Sequence, residues 1–335
     1  MLNVTHLIPS DGIGGVEIAA KTFSFYVDES IAFRVAFMSD RSPKQTIKAN
    51  ALVSNIFSNV FRYYRSEVDV LIVSLWKACI VGLMVKAFKP RTRLILFLHC
   101  SKDRHILDAI LTNLAGLVSD EIWADSDVTA NERLLFAQKN KCKVISFVTR
   151  RFKAPLKEKV EPSFIFWGRL HAQKGLERSI RIFRAIRKKF PGAIFRVIGP
   201  DGGCLEDLKR ICEDAGLNDS VMFMGPADHD RITHLARDAC FYLQTSVYEG
   251  VAMSVVEAMQ MGLVPVVSAV GDVGSYCHHG RNAIIVQTDE QAIHDVTKLL
   301  NSNDQYQRLR AAAIAAWRDK PLYRDSMLNA CKELS

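Results

Sequence analysis

The stretch FIFWGRLHAQKGLERSI, residues 164–180, combines three kinds of local sequence in one short run. Its first four residues are apolar and typical of a buried strand. The middle, with glycine and cationic residues, is typical of a loop, and the rest has the 3.6-residue period of an amphipathic helix. A parallel sheet places such a loop beyond the carboxyl end of its strand, which is the edge where these sheets bind ligands.

The same alternation of strand and helix runs along the chain of 335 residues. Helical patterns include residues 176–190 and 205–217, and they separate short apolar runs that predict strands. The predicted strands are residues 3–8, 32–37, 69–74, 93–98, 121–124, 143–147, 163–167, 194–198, 221–224, 240–244, 264–267 and 283–286. We therefore predict the α/β class, with doubly wound parallel sheets that carry helices on both faces.

One segment interrupts this alternation. Residues 149–163 are rich in charge, contain two prolines and have no apolar period, which is typical of a linker. We predict two Rossmann-like domains, residues 1–150 and 151–317, each long enough to bury a core. A last helix at about 318–335, after a break at Pro321, is expected to complete the first domain.

Composition limits the classes of partner. The net charge of +8 suits an anionic partner, such as a phosphorylated substrate, an anionic membrane face or nucleic acid. None of the eight cysteines lies in a Cys-x-x-Cys pair or a zinc-type cluster, which predicts no metal site and a reducing compartment. The longest apolar run, residues 70–85, is interrupted by Lys77 and is shorter than the ~20 residues of a membrane span. With no signal-peptide pattern at the start, we expect a cytoplasmic protein.

Two residues of the opening loop, Arg169 and Lys174, are candidates for anion binding. A guanidinium and a flexible ammonium at the edge of a sheet suit a diphosphate, whose charges must be neutralised. The alternative is ordinary solvated surface charge, which is the usual fate of these residue types.

A second candidate site lies in SVYEGVAMSVVEAMQMGLVPVV, residues 246–267. Glu249 is predicted on a strand-to-helix loop and Glu257 about one turn into the following helix, so separate hydrogen bonds to ligand hydroxyls fit better than a glycosidase pair. A capping box of Ser254 and Glu257 is the structural alternative for Glu257. The start of this helix also offers phosphate-binding N–H groups, from Gly250, Val251, Ala252 and Met253.

These motifs resemble the retaining glycosyltransferases of family 4. The stretch 249–274, with its Glu-x7-Glu spacing, and GRLHAQKG, which is similar to a Gly-Arg-Leu-x-x-x-Lys-Gly diphosphate loop, carry the resemblance. IPSDGIGGVE, residues 8–17, is similar to the family's N-terminal glycine loop. The resemblance implies a GT-B fold, in which the two Rossmann-like domains face a central cleft.

The resemblance also implies roles for single residues. Glu249 would face the hydroxyls of the donor sugar, and Glu257 would bind the ribose of the nucleotide. Arg169 and Lys174 would hold the diphosphate and stabilise it as a leaving group. The donor would be a UDP-, GDP- or dTDP-sugar, with no further cofactor and no metal.

Three more residues in the N-terminal half enter through the resemblance. Gly14 and Gly15 would let the backbone approach the donor or acceptor closely. His99, at the end of the run RLILFLHC, would lie near the donor sugar, although a strand-end core histidine is the alternative. The Asp-x-Asp of residues 125–127 is predicted to begin a helix with Ser126 or Asp127 as N-cap, and not to bind metal.

Aromatic and basic residues interleave over residues 55–93. This pattern fits either contact with an anionic membrane or a helix whose aromatic side is core. The family often extends lipid-linked glycans, so the resemblance implies a glycan acceptor on polyprenyl diphosphate, in O-antigen or capsule synthesis, at the inner face of the membrane. No nucleic-acid motif is present. A nucleotide-sugar epimerase and a non-catalytic sugar-nucleotide-binding protein stay open as alternatives.

Overall fold

The computed structural model of the chain describes residues 1–12, 14–39, 49–100, 102–103, 105–135 and 142–334. The chain divides into two compact units. Unit 1 comprises Met1–Thr149 together with Pro321–Ser335, and unit 2 comprises Arg150–Lys320. Within the described ranges, no helix is both long and apolar enough to cross a membrane.

Unit 1 is a seven-stranded sheet with helices packed on it. Its elements in chain order are β1 (Leu2–Ile8), α1 (Gly15–Thr22), β2 (Phe25–Val27), β3 (Ile31–Phe37), α2 (Ala49–Arg65), β4 (Val70–Ser74), α3 (Leu75–Phe88), β5 (Arg93–Leu98), α4 (Ile106–Val118), β6 (Glu121–Ala124), α5 (Asp127–Glu132) and β7 (Cys142–Val144). The strand order is β2-β3-β1-β4-β5-β6-β7, and the neighbours are parallel except that β2 runs antiparallel to β3.

Three helices cover one face of this sheet. The steps from β3 to β4, β4 to β5 and β5 to β6 all move the same way across the sheet, so right-handed crossovers place α2, α3 and α4 together. Helix α3 packs against both α2 and α4. The buried core beneath them includes Leu71, Val73, Val81, Leu94 and Leu96. The three helices therefore form one continuous layer whose outer side faces away from the sheet.

Unit 2 is built on a six-stranded parallel sheet. Its elements are β8 (Ser163–Trp167), α6 (Leu176–Lys189), β9 (Ile194–Ile198), α7 (Leu205–Asp214), β10 (Val221–Phe223), α8 (His229–Ala236), β11 (Phe241–Gln244), α9 (Met253–Gln260), β12 (Val264–Val267), α10 (Val273–Tyr276), β13 (Ile284–Ile285), α11 (Asp289–Leu300) and α12 (Asn303–Arg318). The strand order β10-β9-β8-β11-β12-β13 reverses direction between β8 and β11. The loops that follow these two strands therefore leave the sheet at the switch point, where open α/β sheets bind ligands.

The C-terminal helix belongs to unit 1, whereas the segment that follows residue 149 packs on unit 2. Helix α13 (Tyr323–Lys332) belongs to unit 1, because the Tyr323 N–H donates to the Val148 carbonyl at 2.7 Å and Lys143 pairs with Glu333 at 2.6 Å. Residues 150–162 have no helix or strand. This segment lies along unit 2, where the Lys157 ammonium donates to the Ala239 carbonyl at 2.9 Å.

All twelve predicted strands are present in the described part of the chain, with ends displaced by at most three residues. The sequence prediction missed β2, which is only three residues long and lies at the edge of its sheet. Its burial alternates over too few positions to show a period.

Candidate functional site

Two loops of unit 2 meet through a pair of opposite charges. The Lys174 ammonium, at the end of the β8–α6 loop, lies 2.6 Å from Glu249 Oε1 in the β11–α9 loop. The same carboxylate oxygen accepts hydrogen bonds from Gln244 Nε2 at 3.0 Å and from Ser246 Oγ at 2.7 Å. Glu249 is 7% exposed. Because three donors converge on one oxygen, the side chain is held in one orientation, and its second oxygen accepts no hydrogen bond from the part of the chain that the structure describes.

Glycines let the backbones of these loops pack closely. Gly175 has φ +61°, and a Cβ atom there would lie 2.0 Å from the Thr245 carbonyl oxygen. Gly271 has φ +57°, and its Cβ atom would lie 2.0 Å from the carbonyl oxygen of Glu249 itself. A side chain at either position would push the loops apart, since the contacts are with backbone. Close packing therefore fixes where the Lys174–Glu249 pair lies.

The start of α9 presents backbone donors beside this pair. Ala252, which precedes the helix, has the left-handed φ of +53°. The carbonyls of Gly250 and Val251 accept hydrogen bonds from the Asp272 N–H and the Tyr276 hydroxyl. The N–H groups of residues 250–253 donate to no other described residue. These amides lie at the positive end of the helix, which is suited to an anion.

The capping-box interpretation of Ser254 and Glu257 is wrong. Helix α9 begins at Met253, so Ser254 lies inside it, and its hydroxyl donates to Gln244 Oε1 at 3.2 Å. Glu257 is buried, and its Oε2 accepts a hydrogen bond from Trp167 Nε1 at 2.9 Å. Burial raises the pKa of Glu257 to about 7, against the opposing effects of the Trp167 hydrogen bond and the Arg150 charge.

A polar chain inside unit 2 connects the two glutamates. The Tyr242 hydroxyl lies 2.7 Å from Gln244 Oε1 and 3.1 Å from the Trp167 carbonyl. Gln244 binds Glu249 through its amide nitrogen, and Trp167 binds Glu257 through its indole N–H. The positions of Glu249 and Glu257 are therefore coupled through three side chains on the neighbouring strands β8 and β11.

Sequence reasoning missed Trp167, Tyr242 and Gln244. The available signal was weak: Tyr242 and Gln244 are polar residues two positions apart in an otherwise apolar strand, so they share one face of it. Their connection to Trp167 depends on the pairing of β11 with β8, which are far apart in sequence.

Arg169 lies in the same β8–α6 loop as Lys174 and is exposed. Its backbone is fixed, because the flanking Leu170 N–H donates to the Pro200 carbonyl at 2.9 Å and the Gly202 N–H donates to the Leu170 carbonyl at 2.8 Å. Its guanidinium makes no ion pair with any residue in the described ranges. The backbone of Arg169 is therefore fixed, while its exposed guanidinium can reorient at the carboxyl edge of the sheet, where such sheets bind ligands.

Unit 1 has a different cluster at the carboxyl ends of its strands. His99 follows β5, and its Nε2 lies 2.8 Å from Ser74 Oγ at the end of β4. The same oxygen lies 2.7 Å from Nε2 of His6 in β1. Burial lowers the pKa of His6 to about 3 and that of His99 well below its usual value, so both imidazoles are neutral. The other ring nitrogen of His99 lies 4.0 Å from an oxygen of Asp125.

The hydroxyl of Ser74 couples the two rings. It has one proton and can donate to only one of the two Nε2 atoms, so the other Nε2 must carry a proton and donate to the serine. The tautomer of His99 therefore depends on that of His6. Ser, His and Asp also form hydrolytic triads, but Ser74 is fully buried and shared between two imidazoles, which does not suit a nucleophile.

Gly14, Gly15 and Ser126 are the remaining predicted positions of unit 1. Gly14 precedes α1, and a Cβ atom there would come within 2.5 Å of Glu17 Oε2, while Gly15 is the first residue of the helix. Ile13 of the glycine loop lies outside the described residues. The N-cap prediction for Ser126 is confirmed, because its hydroxyl accepts the Thr129 N–H at 3.1 Å.

Residues 148–316, just over half of the chain's 335, match the family model described as glycosyl transferases group 1. The chain belongs to this family. Its relatives include the GDP-mannose:cellobiosyl-diphosphopolyprenol alpha-mannosyltransferase of Xanthomonas oryzae pv. oryzae, which is 26% identical over 157 residues, or 46% of this chain and 41% of the relative. Matches to the curated relatives span less than half of the length of those proteins.

Solved structures extend the likeness to the whole chain. HepE from Anabaena, in complex with UDP and glucose, superposes with a TM-score of 0.79 at 18% identity, covering 100% of this chain and 99% of that one. The lipopolysaccharide outer core galactosyltransferase WaaB gives a TM-score of 0.74 at 16% identity, with 100% of both chains covered. The predicted fold class, with two α/β units of the GT-B type, is confirmed by these neighbours.

The family model matches only some of the predicted site residues of this group 1 glycosyl transferase. It contains Arg169, Lys174, Glu249 and Glu257, and it leaves out Gly14, Gly15 and His99. In the described ranges, no group of three or more His, Cys, Asp or Glu side chains could hold a metal ion.

Proposed function

We propose that this chain transfers a sugar from a nucleotide-diphosphate sugar to a hydroxyl group of a glycan acceptor. The observation that carries the proposal is the 2.6 Å contact between Lys174 and Glu249. It joins the Gly-Arg-Leu loop to the Glu-x7-Glu stretch at the switch point of the sheet, within the matched region.

Each group of this site has a use in such a transfer. The diphosphate would lie on the N–H groups of residues 250–253, with the cations of Arg169 and Lys174 against its oxygens. Glu249 would use its available oxygen for a hydroxyl of the donor sugar. Glu257 would accept hydrogen bonds from the ribose hydroxyls, while its other partner, Trp167, keeps it in place.

The chemical step would be departure of the diphosphate from the same face that the acceptor attacks. The acceptor oxygen forms a bond to the anomeric carbon as the bond from that carbon to the diphosphate oxygen breaks, and the electron pair stays on the diphosphate. The acceptor proton passes to the leaving phosphate oxygen. Arg169 and Lys174 stabilise the charge that develops there, so no enzyme nucleophile is required. Retention of configuration is part of this proposal and follows from the resemblance to family 4.

The comparisons support a choice of donor and acceptor. Similar folds hold UDP and UDP-glucose, and one relative is named for GDP-mannose. The same relative is named for a diphosphopolyprenol-linked acceptor, and WaaB is a lipopolysaccharide enzyme. We therefore include in the proposal a lipid-linked glycan acceptor, in O-antigen or capsule synthesis, met at the inner face of the membrane.

Two measurements test the proposal. A thermal-shift screen with UDP, GDP, ADP and dTDP should show one nucleotide that raises the melting temperature, and that nucleotide's sugars should then be consumed only when acceptor is present. Lys174→Ala should abolish the nucleotide-induced rise in melting temperature or the sugar transfer. Lys209→Ala changes an exposed lysine of α7 in the same unit and should alter neither measurement. Conversion of donor without acceptor would identify an epimerase, and nucleotide binding without any turnover would identify a binding protein; both results reject the proposal.

A further inference from the structure

Helix α4 exposes a wide apolar surface to solvent. Ile106 is 78% exposed and Leu117 is 62% exposed. Exposed large apolar residues occur along most of its length: Ile106, Leu107, Ile110, Leu114, Leu117 and Val118. The side packed on the unit is made by Asp108, Thr112 and Ala115. This polarity is inverted relative to an ordinary surface helix, whose apolar side faces the core.

The exposed surface continues across the helical layer. In α2, the buried face consists of Ile56, Val60 and Tyr63, and a second apolar row stays exposed: Val53, Phe57, Phe61 and Tyr64. The aromatic stretch predicted from the sequence is therefore partly core and partly surface. Phe88 at the end of α3 is also exposed. Because α2, α3 and α4 cover one face of the sheet, these residues belong to one outer layer. A surface of this kind on a single chain marks an interaction site.

The charges of the same layer are of one sign. Over α2, α3 and α4 there is a single carboxylate, Asp108, and it is buried and bound by Arg133 at 2.8 Å. The helices carry the cations Arg62, Arg65, Lys77 and Lys86, of which Lys86 pairs at 2.8 Å with Asp120, just beyond the end of α4. The Arg65 guanidinium lies 4.0 Å above the ring of Phe61, which keeps a cation beside an exposed aromatic side chain.

We propose that the outer face of α2, α3 and α4 docks on an anionic lipid membrane. The apolar side chains of α4 would enter the boundary between headgroups and acyl chains, and Arg62 and Arg65 would lie at the level of the anionic headgroups. The proposal deepens the proposed function by naming the surface that meets a membrane-bound acceptor, but it rests on exposure and charge, and its test needs no activity.

A second copy of the chain is the main competing occupant. A two-fold contact would place this cationic patch against the same patch of the other copy, so Arg62, Arg65 and Lys77 would find no exposed carboxylate on these helices to pair with. An anionic membrane supplies both the apolar interior and the missing negative charge.

The test is co-sedimentation of the full chain with vesicles of phosphatidylcholine alone and with vesicles containing phosphatidylglycerol. We expect binding to the anionic vesicles only. Ile110→Asp with Leu114→Asp should weaken it on the order of a hundredfold, since two apolar side chains no longer leave water. Arg62→Gln with Arg65→Gln should weaken it roughly tenfold or more, and added salt should mimic this change.

Matched controls make the result decisive. The apolar control, Phe25→Asp with Val27→Asp, changes two exposed apolar residues of β2, the edge strand of the unit 1 sheet. The charge control, Lys209→Gln with Arg210→Gln, removes two exposed cations from α7 in unit 2. Both controls should bind vesicles like the unmodified chain. All variants should keep their far-UV circular dichroism and their nucleotide thermal shift, which separates this proposal from the proposed function. Equal loss in the controls, no vesicle binding, or a dimer that the α4 substitutions dissociate would each overturn the proposal.

Discussion

The two units use the same kind of sheet edge for opposite electrostatic purposes. At the edge of unit 2, Lys174 and Glu249 form a charged pair, and free amides lie at the start of α9. At the edge of unit 1, His6, Ser74 and His99 form a neutral chain in which burial keeps the imidazoles uncharged. A charged edge can bind and release an anion, whereas a neutral edge can orient an uncharged hydroxyl group. Fold alone therefore does not assign chemistry; the residues at the strand ends do.

Removing one cation from the charged edge of unit 2 should reduce activity more than any other change considered below. Lys174→Ala or Arg169→Ala should lower the transfer rate constant kcat by about a hundredfold to a thousandfold, because each variant removes a cation that we propose stabilises the charge on the leaving diphosphate. Steady-state transfer assays measure this, with circular dichroism to show that the fold persists. Near-normal turnover in both variants would mean that unit 2 does not use its charge for catalysis.

Substitutions of the two glutamates of unit 2 should change different kinetic parameters. Glu249→Gln should mainly lower kcat, since it changes the group that we propose faces the transferred sugar. Glu257→Gln should mainly raise KM for the donor, by roughly tenfold, because it weakens the hydrogen bonding that we propose between this side chain and the ribose. Ser254→Ala serves as a control for the polar chain, because its hydroxyl bonds the chain members Gln244 and Tyr242. If both glutamate variants changed the same parameter by similar factors, the division of roles between loop and helix would be incorrect.

Glu257 should also give the unfolding free energy a characteristic dependence on pH. Its pKa is raised to about 7 in the folded chain, above the value near 4.5 expected when unfolded. The folded state therefore holds the proton more tightly, and the stability from this group is fully present below the unfolded pKa and is lost as the pH rises through about 7. The loss is on the order of 3 kcal/mol at most.

Urea titrations of the unmodified chain and of Glu257→Gln at several pH values measure this difference, because other titrating groups cancel in the comparison. Donor affinity should change in the opposite direction and increase as the carboxylate forms, if the ribose prefers the charged group. A stability difference that does not vary between pH 4.5 and pH 8 would show that Glu257 is not buried as described.

More of the charged edge of unit 2 than of the neutral edge of unit 1 could be predicted from the sequence. Long apolar runs such as residues 163–167 and 93–98 gave the strands, and loop signals placed Arg169, Lys174 and Glu249 correctly between strand and helix. The capping-box interpretation failed because α9 begins two residues earlier than that spacing requires, after an alanine in the left-handed conformation that no spacing rule predicts. The link between His99, Ser74 and His6 requires the strand order β1-β4-β5, so it comes from tertiary pairing and not from any local pattern.

The smallest expected effect concerns this neutral edge. Ser74→Ala should lower the melting temperature by a few degrees at most, because two buried Nε2 atoms lose their partner. It should leave donor binding nearly unchanged and release the tautomer of His99 from that of His6, because the shared hydroxyl proton is gone. Nitrogen-15 spectra of the histidine rings should show one tautomer at each ring in the unmodified chain and a changed tautomer in the variant. Ser74→Thr, which keeps the hydroxyl, should restore the original spectrum. A catalytic role of His99 would appear as a severalfold fall in kcat that Thr recovers, whereas an unchanged kcat with changed spectra would make the histidine chain a structural feature of unit 1 and leave the transfer chemistry to unit 2.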